Sequence, residues 1–216
     1  MPTNLHIETR RFADAAIDQP KRNRTRAALI DSAIAVVAEK GIDAATVQDM
    51  VRRSRLAHGT FYNHFDDREH ILIEASIAIL DYFERIMIHQ AGHEAAGCRR
   101  MLIALYTLMT HASANLAFGH LIGDTIGRYA DVTDRIRPPL RADLRAARRA
   151  GDVTVRLTVM VEEQIAALVG LAIKQQLAGR PRLATSRATC EAILRLLGQS
   201  PEKAASIVRD VLSRKN

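Results

Sequence analysis

Tryptophan is absent from this chain and aromatic residues make up only 4% of it, so its core must be aliphatic, as in helical bundles rich in Ala, Leu and Ile. Cysteine is scarce too. Cys98 and Cys190 lie far apart with no CxxC spacing, which argues against a disulfide framework and points to two free thiols in a reducing cytoplasm. No apolar run is long and clean enough to span a membrane, because Glu74 interrupts Ile71 to Leu80 and His111 and Asn115 interrupt Met101 to Phe118. The first residues hold Asp14 and Asp18 and no continuous apolar stretch, so no secretory signal is expected. The expected location is therefore cytoplasmic, without a membrane partner. Alternating strand patterns are missing throughout, which predicts an all-α chain. Nucleophile elbow, phosphate loop and zinc-protease motifs are missing as well; neither an enzyme nor a cofactor is expected. His89, His93, Glu94 and Cys98 have spacings that a zinc site could use on one continuous helix. Gly92 and Gly97 argue against such a helix, and no metal is expected.

What is present is a basic, apolar-rich chain of 216 residues. Apolar residues make up 48% of it, ample for a buried core, and the formal charge is +7 with a pI near 9.9. That balance suits an anionic partner, nucleic acid or a membrane surface. From Thr25 to Lys40 the positions Leu29, Ile30, Ala33, Ile34 and Val37 recur at three and four, an amphipathic helix that Gly41 terminates. Thr46 then caps a second helix with Asp49 answering it, a variant of the capping box. Val47, Met50 and Val51 are its apolar stripe. Arg53, Ser54 and Arg55 occupy a turn, and a new helix starts near Ala57 or His58. Phe61 and Phe65 bury one side of it, leaving His58, Gly59, Thr60, Tyr62, Asn63 and His64 over its start and outer faces. This is the layout of a helix-turn-helix whose second helix enters a DNA major groove. Gly59 would let the backbone approach a sugar-phosphate chain closely, Asn63 could pair with adenine and His58 could donate to guanine.

The line from Thr25 to Leu72 resembles the N-terminal domain of TetR-family transcription regulators. The resemblance rests on Glu39, Lys40 and Gly41 after the first helix, on Ala45 and Thr46, on Gly59, Thr60, Tyr62, His64 and Phe65, and on Arg68, where the family has Lys or Arg. It implies phosphate contacts by Thr60, Tyr62, His64 and Arg68, a flanking contact by Thr46 and base contacts by His58 and Asn63. Two positions depart from the family pattern. Arg55 stands where a turn glycine is usual and Ala57 where a capping serine is usual. Arg55 either supplies a DNA contact of its own or points into solvent.

Around this head, residues 1–23 read as a flexible basic arm, residues 24–68 as the helix-turn-helix domain and residues 69–216 as a helical ligand-binding and dimerisation domain. Asp66 or Asp67 caps a long connecting helix from about Arg68 to His89 that is apolar nearly all round. Further helices are predicted near 99–112, 115–122, 140–150, 155–178, 186–197 and 201–213, with Pro138 and Pro139 starting or kinking one. The arginines at 137, 141, 145 and 148 read as a solvated stripe. By resemblance, the second half encloses a small-molecule effector, with Tyr106, Met109, His111, Asn115, Arg128 and Tyr129 as pocket candidates. Its last helix pair would form a homodimer through Ala166, Ala167, Gly170, Leu171, Ile193, Leu194 and Leu197. The resemblance implies a ligand-responsive repressor that binds a double-stranded, palindromic DNA operator as a dimer. An activator, or a module of the same fold that binds a ligand or partner without reading DNA, are the alternatives; a helical enzyme built on His89, His93 and Cys98 is a third.

Overall fold

The computed structural model describes residues 12–91 and 94–213, and all regular structure among them is helical. The elements are α1 (Phe12–Ala15), α2 (Lys21–Lys40), α3 (Val47–Ser54), α4 (His58–Tyr62), α5 (Arg68–Ala91) and α6 (Cys98–Ala112), followed by α7 (Leu116–Thr125), α8 (Ala130–Arg149), α9 (Val159–Leu177), α10 (Arg182–Leu196) and α11 (Pro201–Ser213). The expected all-α class holds. His93 and Gly92 lie outside the described residues, so the metal candidate built on His93 does too.

The amphipathic pattern of α2 works as read: Leu29, Ile30, Ala33, Ile34 and Val37 are all buried. Gly41 stops the helix at φ 79°, sending its N–H back to the Val37 carbonyl at 2.8 Å, a backbone setting in which a Cβ is costly. Phe61 and Phe65 from the α4 region pack under it with Met50, Ile71 and Leu72, all essentially inaccessible. Burying each such side chain is worth about 1.5–3 kcal/mol. The expected free arm over residues 1–23 does not hold for its described part. Phe12 and Ala13 donate their amides to the two Asp31 carboxylate oxygens at 2.8 and 2.9 Å, which satisfies the first turn of α1 and docks it on α2. Lys21, Arg22 and Arg24 are therefore exposed residues of the first turn of α2.

Two further readings are corrected by packing. Pro138 and Pro139 sit inside α8, which begins at Ala130 and not after them. Arg137 and Arg141 do not form a solvated stripe either: Arg141 grips the buried Glu162 of α9 with Nε and a terminal nitrogen, both at 2.7 Å, and Arg137 pairs with Asp134, Glu162 and Glu163. This fork-on-carboxylate geometry ties α8 to α9.

α7 packs on α2, on α5 and, most intimately, on α9. Gly119 and Gly123 face α9 four residues apart, and Gly170 of α9 faces back. A Cβ at Gly170 would stand 2.8 Å from Ile126 Cγ2, 3.2 Å from the Ile126 carbonyl oxygen and 3.3 Å from that of Gly123. Within the same seam, the Thr125 hydroxyl meets that of Ser76 at 2.9 Å, joining α7 to α5 inside the core.

Both thiols are buried. Desolvation pushes Cys98 up to about 11 and Cys190 up to about 12, which leaves almost no nucleophilic thiolate at neutral pH. Titration with a disulfide reagent at pH 7.5 is expected to modify neither thiol of the folded protein rapidly, and both once denaturant is added.

Candidate nucleic-acid interface and apolar cavity

The reading head is assembled by short-range chemistry. Thr46 adopts an extended backbone and caps α3, its Oγ1 taking the Asp49 amide at 3.2 Å while Asp49 Oδ2 takes the Thr46 amide at 3.4 Å. Lys40 and Arg52 reach the same Asp49 carboxylate at 2.7 and 2.6 Å. With Lys40 as the largest cause, Asp49 is held well below the usual carboxylate range. Its share of stability is fully present above that range and is lost only in strong acid. Because the Thr46 hydroxyl also donates to Asp49 at 2.7 Å, its proton is not free for a phosphate. The unpaired first-turn amides of α3 are the available donors on that flank.

The turn between α3 and α4 passes through Arg55 at φ 57°, ψ 28°, the sole positive-φ residue other than glycine among those described. A left-handed setting is costly for a residue with a Cβ, so the departure from glycine stores strain in the turn. The Arg55 side chain is exposed. α4 starts at Ala57 without a side-chain cap, as the missing serine implies. From there His58, Gly59, Tyr62 and Asn63 are exposed, Thr60 and His64 are half-buried, and Phe61 is fully inside. The ring of Tyr62 leans edge-on against His58 and Phe61 at 5.3 and 5.2 Å. A strip of polar and aromatic groups therefore covers the outer side of α4, with no element of the described residues over it. An added Cβ at Gly59 would touch nothing within 4 Å among the described residues, so packing among them does not require glycine there.

The start of α2 joins this surface. Burial, and then the charges of Arg22 and Arg26, push His64 below its ordinary pKa, which keeps its imidazole neutral at neutral pH. Arg26 itself pairs with Glu74 and lies over the Phe65 ring at 5.3 Å. Arg22 is thus a basic group on this side that sequence reading assigned to an arm. Its signal was the unbroken helical spacing from Lys21 into Leu29.

Arg68 does something other than the expected phosphate contact. Its Nε donates to the Ala45 carbonyl at 2.5 Å and a terminal nitrogen donates to the Ile42 carbonyl, so it clamps the α2–α3 connection to the head of α5. Hydrogen bonds from a charged donor are worth about 1.5–3 kcal/mol each. Arg68→Ala is expected to destabilise the protein by about 2–3 kcal/mol, read as a lower urea midpoint with unchanged slope.

The described part of the second half contains a cavity of about 200 Å³ between α5, α6 and α8. Leu80, Met87 and Ile88 wall it from α5, Met101, Leu105 and Leu108 from α6, and Ile136, Pro139 and Leu140 from α8. Its charged lining residues are already paired. Arg135 binds Asp81 and Glu84 at 2.5 and 2.6 Å, and Arg100 binds Asp143 at 2.8 Å. None of the six pocket candidates lines this cavity. Met109 is sealed in the core, and the Asn115 side chain caps α7 by accepting from the Phe118 amide at 3.2 Å. His111 turns Nδ1 to the Thr107 carbonyl at 3.0 Å, while Arg128 lies over the Tyr129 ring near Asp43. Tyr106 is half-buried outside the cavity wall.

The expected dimer set also divides. Ala166, Gly170, Ile193, Leu194 and Leu197 are buried within the protomer, where the small residues serve the α7–α9 seam. Ala167 and Leu171 remain exposed on α9, and the exposed apolar surface nearby comes from Met160 at 65% and Leu183 at 63%.

Residues 29–75 match the family model of bacterial regulatory proteins, tetR family. That match spans the helix-turn-helix and parts of the helices on either side of it. Solved structures of this fold extend the likeness over most of the chain. RolR in complex with resorcinol is 22% identical, with 87% of this chain and 94% of that one covered and a TM-score of 0.69. FadR from Bacillus subtilis in complex with stearoyl-CoA is 17% identical over 79% and 97% of the two chains, TM-score 0.57. A gamma-butyrolactone receptor described as ArpA-like is 14% identical over 90% and 100%, TM-score 0.55. No curated protein sequence matches the chain. The described chain shares the all-helical fold of these solved structures.

Proposed function

We propose that this chain is a cytoplasmic, ligand-released repressor that binds a palindromic operator as a homodimer. The observation that carries the reading is α5. This single helix of 24 residues starts in the reading head, where Arg68 clamps the α2–α3 connection, and ends as a wall of the cavity. At 1.5 Å per residue it spans about 36 Å. A molecule that fills the cavity favours one placement of α5 over another, and the spacing of two reading heads shifts with it. Ligand and operator then oppose each other reciprocally.

In this reading residues 24–68 read DNA, with His58 and Asn63 at base edges and Gly59, Thr60, Tyr62 and His64 on phosphates. Residues 69–216 sense and pair. Arg55 and Arg22 add positive charge to the same surface, and the amides of α3 beyond Thr46 take the far flank. Pairing runs through the outer faces of α9 and α10, where Met160, Ala167, Leu171 and Leu183 supply apolar area. A two-fold dimer sets the half-sites one helical turn or a multiple apart. Small molecules occupy the RolR and FadR neighbours, resorcinol in one and stearoyl-CoA in the other; a cavity of about 200 Å³ suits a compact effector.

Selection of duplexes from a random DNA pool, followed by binding across a salt series, tests the reading. The expected result is an inverted repeat whose log affinity falls against log salt by about 0.9 per phosphate contact. A folded dimer that enriches no duplex would instead favour a module of this fold that has lost DNA reading.

A further inference from the structure

The outer side of α10 carries charges that no described residue answers with an ion pair. Arg187 and Arg195 are exposed and Glu191 is half-buried. Each arginine stands four residues from Glu191, the spacing of an intrahelical pair, yet no salt bridge joins any of the three to another described residue. The surface between them is made of small side chains. Ala184 and Ala188, with Ala205 of α11, line a groove between the two helices, and Leu183, which also borders it, is 63% exposed. The other face of α10 is spent on the core, through Ser186, Cys190, Ile193 and Leu194.

These charges are placed symmetrically on the helix. Thr189 is the middle residue of α10, seven positions from Arg182 and seven from Leu196. Arg187 precedes it by two and Glu191 follows it by two. A second α10 laid antiparallel and centred at the level of Thr189 overlaps the first along its whole length. Each Arg187 then comes level with the partner's Glu191, and a two-fold contact forms the pair twice. Leu183 comes level with the partner's Arg195, whose aliphatic stem covers it. The alanines let the two axes approach to about 8 Å, the close end of helix packing. A parallel arrangement would set Arg187 against Arg187 and Glu191 against Glu191, and like charges face to face oppose association.

We propose that a second copy of this chain docks antiparallel on α10, centred at Thr189 and held in register by two Arg187–Glu191 ion pairs across the two-fold axis. The proposal rests on the reading that the protein pairs through α9 and α10. The same register sets the separation of the two reading heads, and so the half-site spacing that fits them.

Sedimentation velocity over a concentration series of the full-length protein reads the pairing of the parent, of Arg187→Glu, of Glu191→Arg and of an equimolar mixture of the two variants. The parent is expected to be a dimer. Each variant by itself meets like charge at both crossings and is expected to dimerise about tenfold more weakly or worse, a deficit that shrinks at high salt as exposed charges are screened. In the mixed dimer every substituted position faces an opposite charge on the other chain, while each chain keeps its like charges four apart within its own α10. Parental affinity is therefore expected to return in the mixture, which no effect inside a single helix produces. Both positions lie at the surface, so both variants are expected to fold as the parent does, checked by circular dichroism. Variants that pair as the parent does, or a mixture no tighter than its components, overturn the proposal and leave the dimer to another face. A parent that stays monomeric throughout removes the homodimer reading itself, and the proposal with it.

Discussion

Gly59→Val is expected to leave the protein at least as stable as the parent and to weaken operator binding by tenfold or more. Glycine inside a helix is destabilising by about 0.5–1 kcal/mol relative to alanine, so a chain gains by replacing it unless something forbids the side chain. Nothing among the described residues does. Gly59 lies in α4 outside the left-handed region, and a Cβ there would meet no atom within 4 Å. The remaining reason for glycine is an approach from outside, by a surface that must come within backbone distance of the first turn of α4. A sugar-phosphate chain tracked by exposed Tyr62 and half-buried Thr60 is such a surface. The measurement pairs a thermal melt with fluorescence anisotropy on the selected duplex. A variant with an unchanged melt and parental affinity would show that DNA does not come close to α4 there.

The second large effect lies in the core. Gly170→Val is expected to destabilise the chain by about 3 kcal/mol, the upper end of what overpacking usually does. The reason is what the new atoms would strike. Only one of the three nearest neighbours is a side-chain atom, Ile126 Cγ2 at 2.8 Å; the carbonyl oxygens of Ile126 and Gly123, at 3.2 and 3.3 Å, belong to backbone that cannot rotate away. Relief must come from separating α7 and α9 along their seam. Urea unfolding followed by circular dichroism reads the loss. A shift below about 0.5 kcal/mol, the range of an ordinary surface substitution, would mean that the seam has slack and that α7 and α9 slide.

The two glycines were not equally legible in the sequence. The reading head could be read because its determinants are local. The Thr46–Asp49 cap, the stop at Gly41, the Phe61 and Phe65 pair and the turn at Arg55 each act over a few residues, and short-range chemistry survives translation into pattern. Arg68 was misread for the opposite reason: its partners, the carbonyls of Ile42 and Ala45, are backbone groups across a connection, and no side-chain pattern announces a backbone acceptor. Gly170 was placed at a dimer seam because a small-residue stripe looks the same whether the helix it admits belongs to this chain or to a second copy. The cavity escaped because α8 was started after Pro139. A double proline reads as a boundary, and with Arg135 and Ile136 assigned to a loop, the wall they share with Asp143 could not be assembled. Soft and polar residues inside the apolar run of α6, such as Met109 and His111, drew attention instead and proved to face the core and their own helix.

The α7–α9 seam also bears on which changes of length this lineage can absorb. Adding one residue to α7 ahead of Gly123 turns everything beyond it by about 100°, which would swing Gly123 out of the contact and bring Ile122 against Gly170, while the far side of the same helix would lose its grip on α2 and α5. Deletion does the same in the other sense. Between Gly151 and Thr158, where the chain crosses to α9 without regular helix, an added residue changes no register. Length variation among descendants of this chain should therefore collect in that crossing and be purged from the ten residues of α7, whatever molecule or operator each descendant comes to recognise.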